Sequence, residues 1–196
     1  MSHDANPRLS FKAVILGDSG VGKTSLVTRW TTGSYQSNTN PTVGANHQRK
    51  RVILEDQEVD LFLWDTAGQE QFQALTPLYS RSSSVAIMTC SITDSASFAS
   101  IDKWFELLNS STEEIPPVVL AVNKIDIQNE NSPTEDKIVS EYGERFAGVF
   151  FVSAVTNEGV DNLFNFAAEQ GYKFTVTNTN KPSLPLTAEK GTKSCC

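Results

Sequence analysis

Several kinds of residue are scarce in this sequence, and each shortage narrows the possibilities. Only three of the 196 residues are cysteines, and two of those are adjacent at the end, which is too few for a disulfide-stapled scaffold. No apolar run approaches the roughly 18 residues of a transmembrane helix. Residues 1–7 lack the apolar core of a secretory signal, and Ser2 excludes N-myristoylation. We therefore expect a chain made in the cytosol.

Positive charge is also scarce. The chain has 16 Lys and Arg against 23 Asp and Glu, a formal net charge of −7. A general nucleic-acid-binding protein normally carries a basic surface, so we expect no nucleic-acid partner. The rest of the composition, 39% hydrophobic and 20% charged, is ordinary for a globular protein, and the length suits one α/β domain with a tail.

Residues 11–29 carry the strongest motif. The apolar run at 13–16 predicts a buried strand, GDSGVGKT at 17–24 fits the phosphate-binding loop G-x-x-x-x-G-K-[ST], and a helix follows. The glycines allow backbone N–H groups to surround an anion, and the helix N-terminus adds further donors. Lys23 provides a cation, and the Thr24 hydroxyl can bind Mg²⁺. The alternative is an ordinary glycine turn, but the flanking strand and helix favour phosphate binding.

Apolar patterns elsewhere predict strands alternating with helices. Strands are expected at 47–54 and 58–64, as an antiparallel hairpin, and at 85–92, 118–122 and 149–152; helices are expected at 22–30, 96–108, 133–146 and 158–170. This alternation predicts an α/β domain over 10–171, with a mostly parallel sheet and helices on both faces. Residues 1–9 and the polar tail 172–196 are expected to be flexible. Loops that follow the strands share one edge of the sheet, where ligands bind.

Two further motifs follow predicted strands. In the first, DTAGQE at 65–70, Asp65 can hold Mg²⁺ through water, Gly68 can offer an N–H to a terminal phosphate, and Gln69 can orient a water. In the second, NKID at 123–126, Asp126 can accept two N–H bonds from guanine, a donor pair that adenine lacks. Each motif alone could be a polar turn, but together with the phosphate loop they favour a nucleotide site.

The chain therefore resembles the small Ras-like GTPases and, within them, the Rab family. The matching residues are GDSGVGKT (17–24), PTVG (41–44), WDTAGQE (64–70), NKID (123–126), SA (153–154) and the terminal CC. The resemblance implies a P-loop GTPase domain with a six-stranded, mostly parallel sheet. It also implies two nucleotide-sensitive segments, switch I at 31–45 and switch II at 65–79.

The same resemblance implies which residues bind and hydrolyse GTP, slowly unless an activating protein helps. Gln69, Lys23 and Thr42 are expected to be catalytic. Mg²⁺ is expected on Thr24, Thr42 and, through water, Asp65. GTP and GDP are expected to contact Asp18, Ser19, Gly20, Val21, Gly22, Lys23, Thr24, Ser25, Tyr35, Thr42, Gly68, Asn123, Lys124, Asp126, Ser153 and Ala154.

Partners and location are implied in the same way. A Rab-type protein regulates vesicular membrane traffic, recruits effectors in its GTP state, and is served by an exchange factor, a GTPase-activating protein and a GDP-dissociation inhibitor or escort protein. Effectors are expected to contact His47, Trp64 and Tyr79. Geranylgeranyl groups on Cys195 and Cys196 are expected to place a monomeric G domain on the cytosolic face of an endomembrane, cycling with the cytosol.

Some positions depart from the usual Rab pattern. Ala45-Asn46-His47 replaces Val-Asp-Phe, Val155 replaces the Lys of SAK, and Ser80–Ser83 differs after switch II. These changes bear on partner choice and remove no catalytic group. Two other functions remain open: a P-loop ATPase or nucleotide kinase, which nucleotide competition would reveal, and a nucleotide-binding scaffold without turnover. Trp104 and Cys90 are interpreted as core residues.

Overall fold

One mixed sheet organises the domain. The computed structural model describes residues 8–37 and 41–179, and within them the strands are β1 (Ser10–Leu16), β2 (Ala45–Leu54), β3 (Gln57–Thr66), β4 (Val85–Ser91), β5 (Val118–Asn123) and β6 (Gly148–Val152). Their spatial order is β2-β3-β1-β4-β5-β6. Only β2 runs antiparallel to its neighbour, and the other adjacent pairs are parallel. The predicted six-stranded, mostly parallel sheet is confirmed.

Helices cover both faces of this sheet. They are α1 (Lys23–Thr32), α2 (Glu70–Gln73), α3 (Thr76–Ser80), α4 (Ser95–Ala99), α5 (Ile101–Asn109), α6 (Glu135–Tyr142) and α7 (Val160–Thr179), with short 3₁₀ turns at Ile125–Ile127 and Gly143–Arg145. Alternate β1 residues enter different cores: Ala13 and Ile15 join α1 and α7, whereas Val14 and Leu16 join α5 and α6. This alternation buries both faces of the central strand.

The hairpin between β2 and β3 matches the prediction closely. Glu55 and Asp56 both have positive φ angles, 48° and 62°, which suits a two-residue turn whose twist matches the strands. Leu54 pairs directly with Gln57, so the turn is one residue shorter than the predicted polar tip. The pairing continues to Ala45 opposite Thr66, beyond the predicted strand ends.

Two segments differ from the sequence-based expectation. The predicted helix over 96–108 is two helices, α4 and α5, separated at Ser100. Ser97 holds α4 to the end of β4, because its hydroxyl donates to the Asp94 carbonyl (2.6 Å) and accepts from the Ser91 amide (3.0 Å). Residues 65–78, where the sequence predicts no helix, contain the short helix α2 and most of α3. Pro77 lies in the first turn of α3, where its missing N–H would have no partner within the helix.

The last helix extends past its predicted end. Residues 172–179, assigned to the flexible tail, are helical, so that part of the expectation is wrong. Tertiary contacts sustain the extension: Tyr172 is buried, Val176 packs on the core, and the Thr175 hydroxyl donates to the Ser84 hydroxyl (2.8 Å). Residues 180–196, including the two terminal cysteines, and residues 1–7 lie outside the described residues. Within the described part of the chain, no helix has the length and apolar character needed to cross a membrane.

Candidate functional site

The loop after β1 closes around its own lysine. Lys23 is buried, and its Nζ donates to the carbonyls of Gly17 (2.7 Å) and Asp18 (2.8 Å). Burial lowers the pKa of Lys23 to about 8, although the nearby Asp65 and Asp18 carboxylates oppose the shift. The loop also needs glycine at 22, where φ is 98° and a Cβ would lie 2.3 Å from Asn123 Nδ2. The two Lys23 bonds therefore close the phosphate loop, and the absence of a side chain at Gly22 lets Asn123 pack against it.

Two adjoining cavities lie at the carboxyl edge of the sheet. The first has a volume of about 280 Å³ and the second about 270 Å³, and they share Gly22, Ser25, Tyr35 and Lys124. The first is also lined by the predicted residues Ser19, Gly20, Lys23, Thr24, Thr42 and Gly68, and the second by Asn123, Asp126 and Ala154. Asp18, Val21 and Ser153 are not among the lining residues. Residues from five separate loops thus meet in one elongated cleft.

Three oxygen-bearing side chains meet beside the first cavity. The Thr24 hydroxyl donates to Asp65 Oδ2 (2.7 Å) and lies 2.9 Å from the Thr42 hydroxyl, which is 3.5 Å from the same carboxylate oxygen. Asp65 is buried, and none of the described residues hydrogen-bonds its Oδ1. Burial raises the pKa of Asp65 despite the Thr24 bond and the Lys23 charge. A buried acceptor without a partner is costly. Hydroxyl and carboxylate oxygens beside a phosphate site are what Mg²⁺ requires, so this donor set fits that ion.

The segment after β3 lies directly against the phosphate loop. A Cβ at Gly68 would lie 2.4 Å from both the Asp18 carbonyl carbon and the Ser19 amide nitrogen. No other residue fits there, so the Gly68 backbone reaches the phosphate end of the cleft. Gln69 does not line either cavity, and its Oε1 accepts from Gln71 Nε2 (3.0 Å). Its expected catalytic role stays a prediction.

Hydrogen bonds made by side chains fix one wall of the second cavity. Asn123 is buried, its Nδ2 donates to the Val21 carbonyl (2.8 Å), and its Oδ1 accepts from the Ala154 amide (3.3 Å). The Ser153 hydroxyl donates to Asp126 Oδ1 (2.6 Å). The NKID motif is therefore tied both to the phosphate loop and to the loop after β6, although these segments are far apart in sequence. This wall places the Asp126 carboxylate and the Ala154 main chain beside the second cavity.

Sequence reasoning missed one contact to the phosphate loop. Trp104 is buried among core residues, as expected, but its indole Nε1 also donates to Asp18 Oδ1 (2.9 Å). A buried tryptophan normally finds a partner for its N–H, and that rule is the signal that could have suggested a polar role. Nothing in the sequence indicates which acceptor, because the two residues are 86 positions apart.

The three side chains expected to contact effectors lie together. The His47 and Trp64 rings are stacked with centroids 5.5 Å apart, and Trp64 and Tyr79 are stacked at 5.8 Å. Lys12 Nζ lies 4.4 Å from the centroid of the Trp64 ring. We call the three rings the aromatic row. It joins β2, β3 and α3, and Trp64 directly precedes Asp65.

Comparisons with known proteins agree with this geometry. The family model described as the Ras family matches residues 12–173. Among curated proteins, "Ras-related protein RABA5c" of Arabidopsis thaliana is 33% identical to the chain over 205 aligned positions, which cover 95% of this chain and 94% of the relative.

Proposed function

Since this chain belongs to the Ras family, as a Rab-type small GTPase that hydrolyses GTP to GDP and phosphate, we propose that it regulates vesicular membrane traffic by recruiting effectors in its GTP state. The aromatic row is the observation that carries this proposal. It links His47 in β2, two residues after switch I, to Tyr79 in switch II through Trp64, the residue before Asp65. A partner that contacts these rings therefore binds a surface next to the phosphate site.

The phosphate half of the cleft performs the hydrolysis in this proposal. Lys23 and the loop N–H groups hold the phosphates, and Thr24, Thr42 and, through water, Asp65 hold Mg²⁺, which neutralises charge on the outer phosphates. Gln69 turns from Gln71 to orient the attacking water. None of the described arginines contacts the phosphate cavity, so an activating protein supplies the positive charge that speeds the reaction.

The base half selects guanine. The Asp126 carboxylate accepts from guanine N1–H and the exocyclic amine, whereas adenine offers no such pair of donors. The Ala154 amide gives up its long bond to Asn123 Oδ1 (3.3 Å) to donate to guanine O6, and Asn123 and Lys124 brace the ring position. Tyr35, which lines both cavities, packs its ring against the base. The two Asp126 bonds involve a charged acceptor and so dominate the preference.

Switching follows from contacts with the γ-phosphate. The Thr42 and Gly68 main chains bind that phosphate in the GTP state, and their release after hydrolysis frees both switches. Because Gly68 lies against the phosphate loop, a small displacement there moves the segment that leads to Tyr79. The aromatic row then presents a different surface, and an effector with higher affinity for the GTP form dissociates.

A lipid anchor places this switch on a membrane. Geranylgeranyl groups on Cys195 and Cys196 provide the two apolar chains that stable anchoring needs, since one chain binds only marginally. An escort protein or GDP-dissociation inhibitor covers them in the cytosol, and an exchange factor reloads GTP at the cytosolic face of an endomembrane.

Cell fractionation tests the trafficking proposal. The full chain is compared with a variant lacking Cys195 and Cys196 and with Cys90→Ser, which changes the one buried cysteine of the described residues and leaves the terminal pair intact. We expect the full chain and Cys90→Ser in the endomembrane fraction and the deletion variant in the cytosol. Membrane residence of the deletion variant would contradict the anchor, and a full chain that stays cytosolic in its GTP state would contradict the trafficking role.

A further inference from the structure

Arg29, near the end of α1, joins parts of the base-binding side that are far apart in the sequence. Its Nε donates to the Ala154 carbonyl and its Nη2 to the Val155 carbonyl, both at 2.7 Å, across 125 and 126 positions. Two consecutive carbonyls suit the planar fork of a guanidinium. A lysine carries all its donors on one flexible ammonium, so it does not reproduce the fixed, forked geometry of these bonds.

The same guanidinium also fixes the start of switch I. Its Nη1 donates to the Gly33 carbonyl (3.0 Å), while the Arg29 carbonyl accepts from the Gly33 amide (2.9 Å) at the left-handed end of α1. Its Cζ lies 5.8 Å from the centroid of the Tyr35 ring. Tyr35 borders both cavities, so one side chain connects the helix end, the base-packing ring and the loop after β6.

Both main-chain polar groups of Ala154 are therefore hydrogen-bonded to side chains. Its amide donates to Asn123 Oδ1, and its carbonyl accepts from Arg29. Val155 has an exposed side chain with no polar group and is tied to Arg29 through its carbonyl. The position of Ala154 in its loop therefore depends on two side chains, Asn123 and Arg29, and the sequence motifs do not include Arg29.

We propose that Arg29 is a positioning residue for guanine specificity. By fixing the Ala154 and Val155 carbonyls, it holds the loop that carries the Ala154 N–H, so that this N–H can turn from Asn123 Oδ1 to guanine O6 and would face the adenine amino group donor to donor. This inference rests on the base site assigned above. The acceptors of its three hydrogen bonds are the main-chain oxygens of Gly33, Ala154 and Val155, so its effect is on the base half of the cleft.

Nucleotide exchange on the full chain tests this role. Release of a fluorescent GDP analogue is measured with Mg²⁺ and with a chelator, and competition by GDP and ADP gives the base preference, for wild type, Arg29→Ala and Arg29→Lys. Arg145→Ala is the matched control, because Arg145 also bonds an oxygen acceptor, on Asp102, and lies over a ring, with Cζ 5.4 Å from the centroid of Phe105.

We expect Arg29→Ala to accelerate release about ten- to a hundredfold, the range for losing charge-assisted bonds, by the same factor with and without Mg²⁺. Its preference for GDP over ADP should fall about tenfold, because a loosened loop no longer opposes the adenine amino group. Arg29→Lys should lie between it and wild type, and Arg145→Ala should match wild type.

Release from Arg29→Ala within twofold of wild type would overturn the proposal. Faster release with an unchanged preference for GDP over ADP would also overturn it, since a general loosening of the protein weakens the binding of both nucleotides equally. If Arg29→Ala does not fold, the release rate and the GDP-to-ADP preference of Arg29→Lys test the proposal by the same criteria. A wild-type protein that prefers ADP would instead contradict the base site itself, whatever the variants do.

Discussion

Adding one methyl group at Gly68 should separate GTP binding from GDP binding. The new Cβ would lie 2.4 Å from two backbone atoms of Asp18 and Ser19, whereas ordinary contacts begin at 3.4 Å, so about 1 Å of separation must be created. Neither neighbour can rotate away, because the clashing atoms are main chain. The phosphate loop is held by Lys23 and the buried β1, so the segment containing Gly68 must move.

That displacement withdraws the Gly68 amide from the γ-phosphate. Losing a hydrogen bond to a charged group costs about 1.5–3 kcal/mol, so GTP affinity relative to GDP should fall about ten- to a hundredfold. Hydrolysis should slow about a hundredfold, the scale for a 1 Å misplacement. Equilibrium competition and single-turnover phosphate release on GTP-loaded protein measure the two effects.

Gly143→Ala is the control for this experiment. At Gly143 a Cβ would make an ordinary 3.6 Å contact with Val139 Cγ1, and φ is −56°, so alanine fits this 3₁₀ turn, whose residues line neither cavity. It should leave both readouts unchanged. A Gly68→Ala protein with a wild-type GTP-to-GDP ratio and a hydrolysis rate within threefold of normal would refute the reasoning.

Four other changes have defined outcomes. Gln69→Leu should keep nucleotide affinity and suppress single-turnover hydrolysis; an unchanged rate would remove its assigned role. Thr24→Asn should weaken Mg²⁺-dependent GTP binding and favour GDP, as titration with and without Mg²⁺ would show; undiminished GTP affinity would count against Thr24. Because the pKa of Lys23 is about 8, the nucleotide-free protein loses that charge at higher pH, so the association constant for GDP should fall about tenfold from pH 7 to pH 9. In the unfolded chain Lys23 keeps its proton up to about pH 10.5, so unfolding of the nucleotide-free protein should become harder from pH 8 to about 9. Above pH 9 the Cys90 thiol, whose pKa burial raises to about 12, opposes this trend. Trp104→Phe keeps an aromatic side chain but removes the bond to Asp18 and leaves a smaller ring in a buried site, so chemical denaturation should show a loss of at least about 1.5 kcal/mol.

The strands, and the edge of the sheet at which the binding motifs lie, could be predicted because both depend on local patterns. Apolar runs bounded by turn residues identify β1, β4, β5 and β6, and each binding motif begins where a run ends. Parallel strands bring those ends to one edge, so the cleft follows from the order of motifs. Family resemblance supplied the strand count and the two switches.

The rest depends on contacts between distant segments. Residues 172–179 have no helical pattern of their own, and the helix continues there because Tyr172 and Val176 pack on the core. The break at Ser100 reflects the attachment of Ser97 to β4. Arg29 resembles any surface arginine until the loop after β6 is folded against it. Pairings of this kind have no local signal in one sequence.

The identity of the base is the central claim, and nucleotide competition on stripped protein tests it most directly. The purified chain is freed of nucleotide, returned to Mg²⁺ with a fluorescent GDP analogue, and challenged with GTP, GDP and ATP. We predict displacement by GTP and GDP at low concentrations and no displacement by ATP at a thousandfold excess. Displacement by ATP as effective as that by GTP would contradict the account.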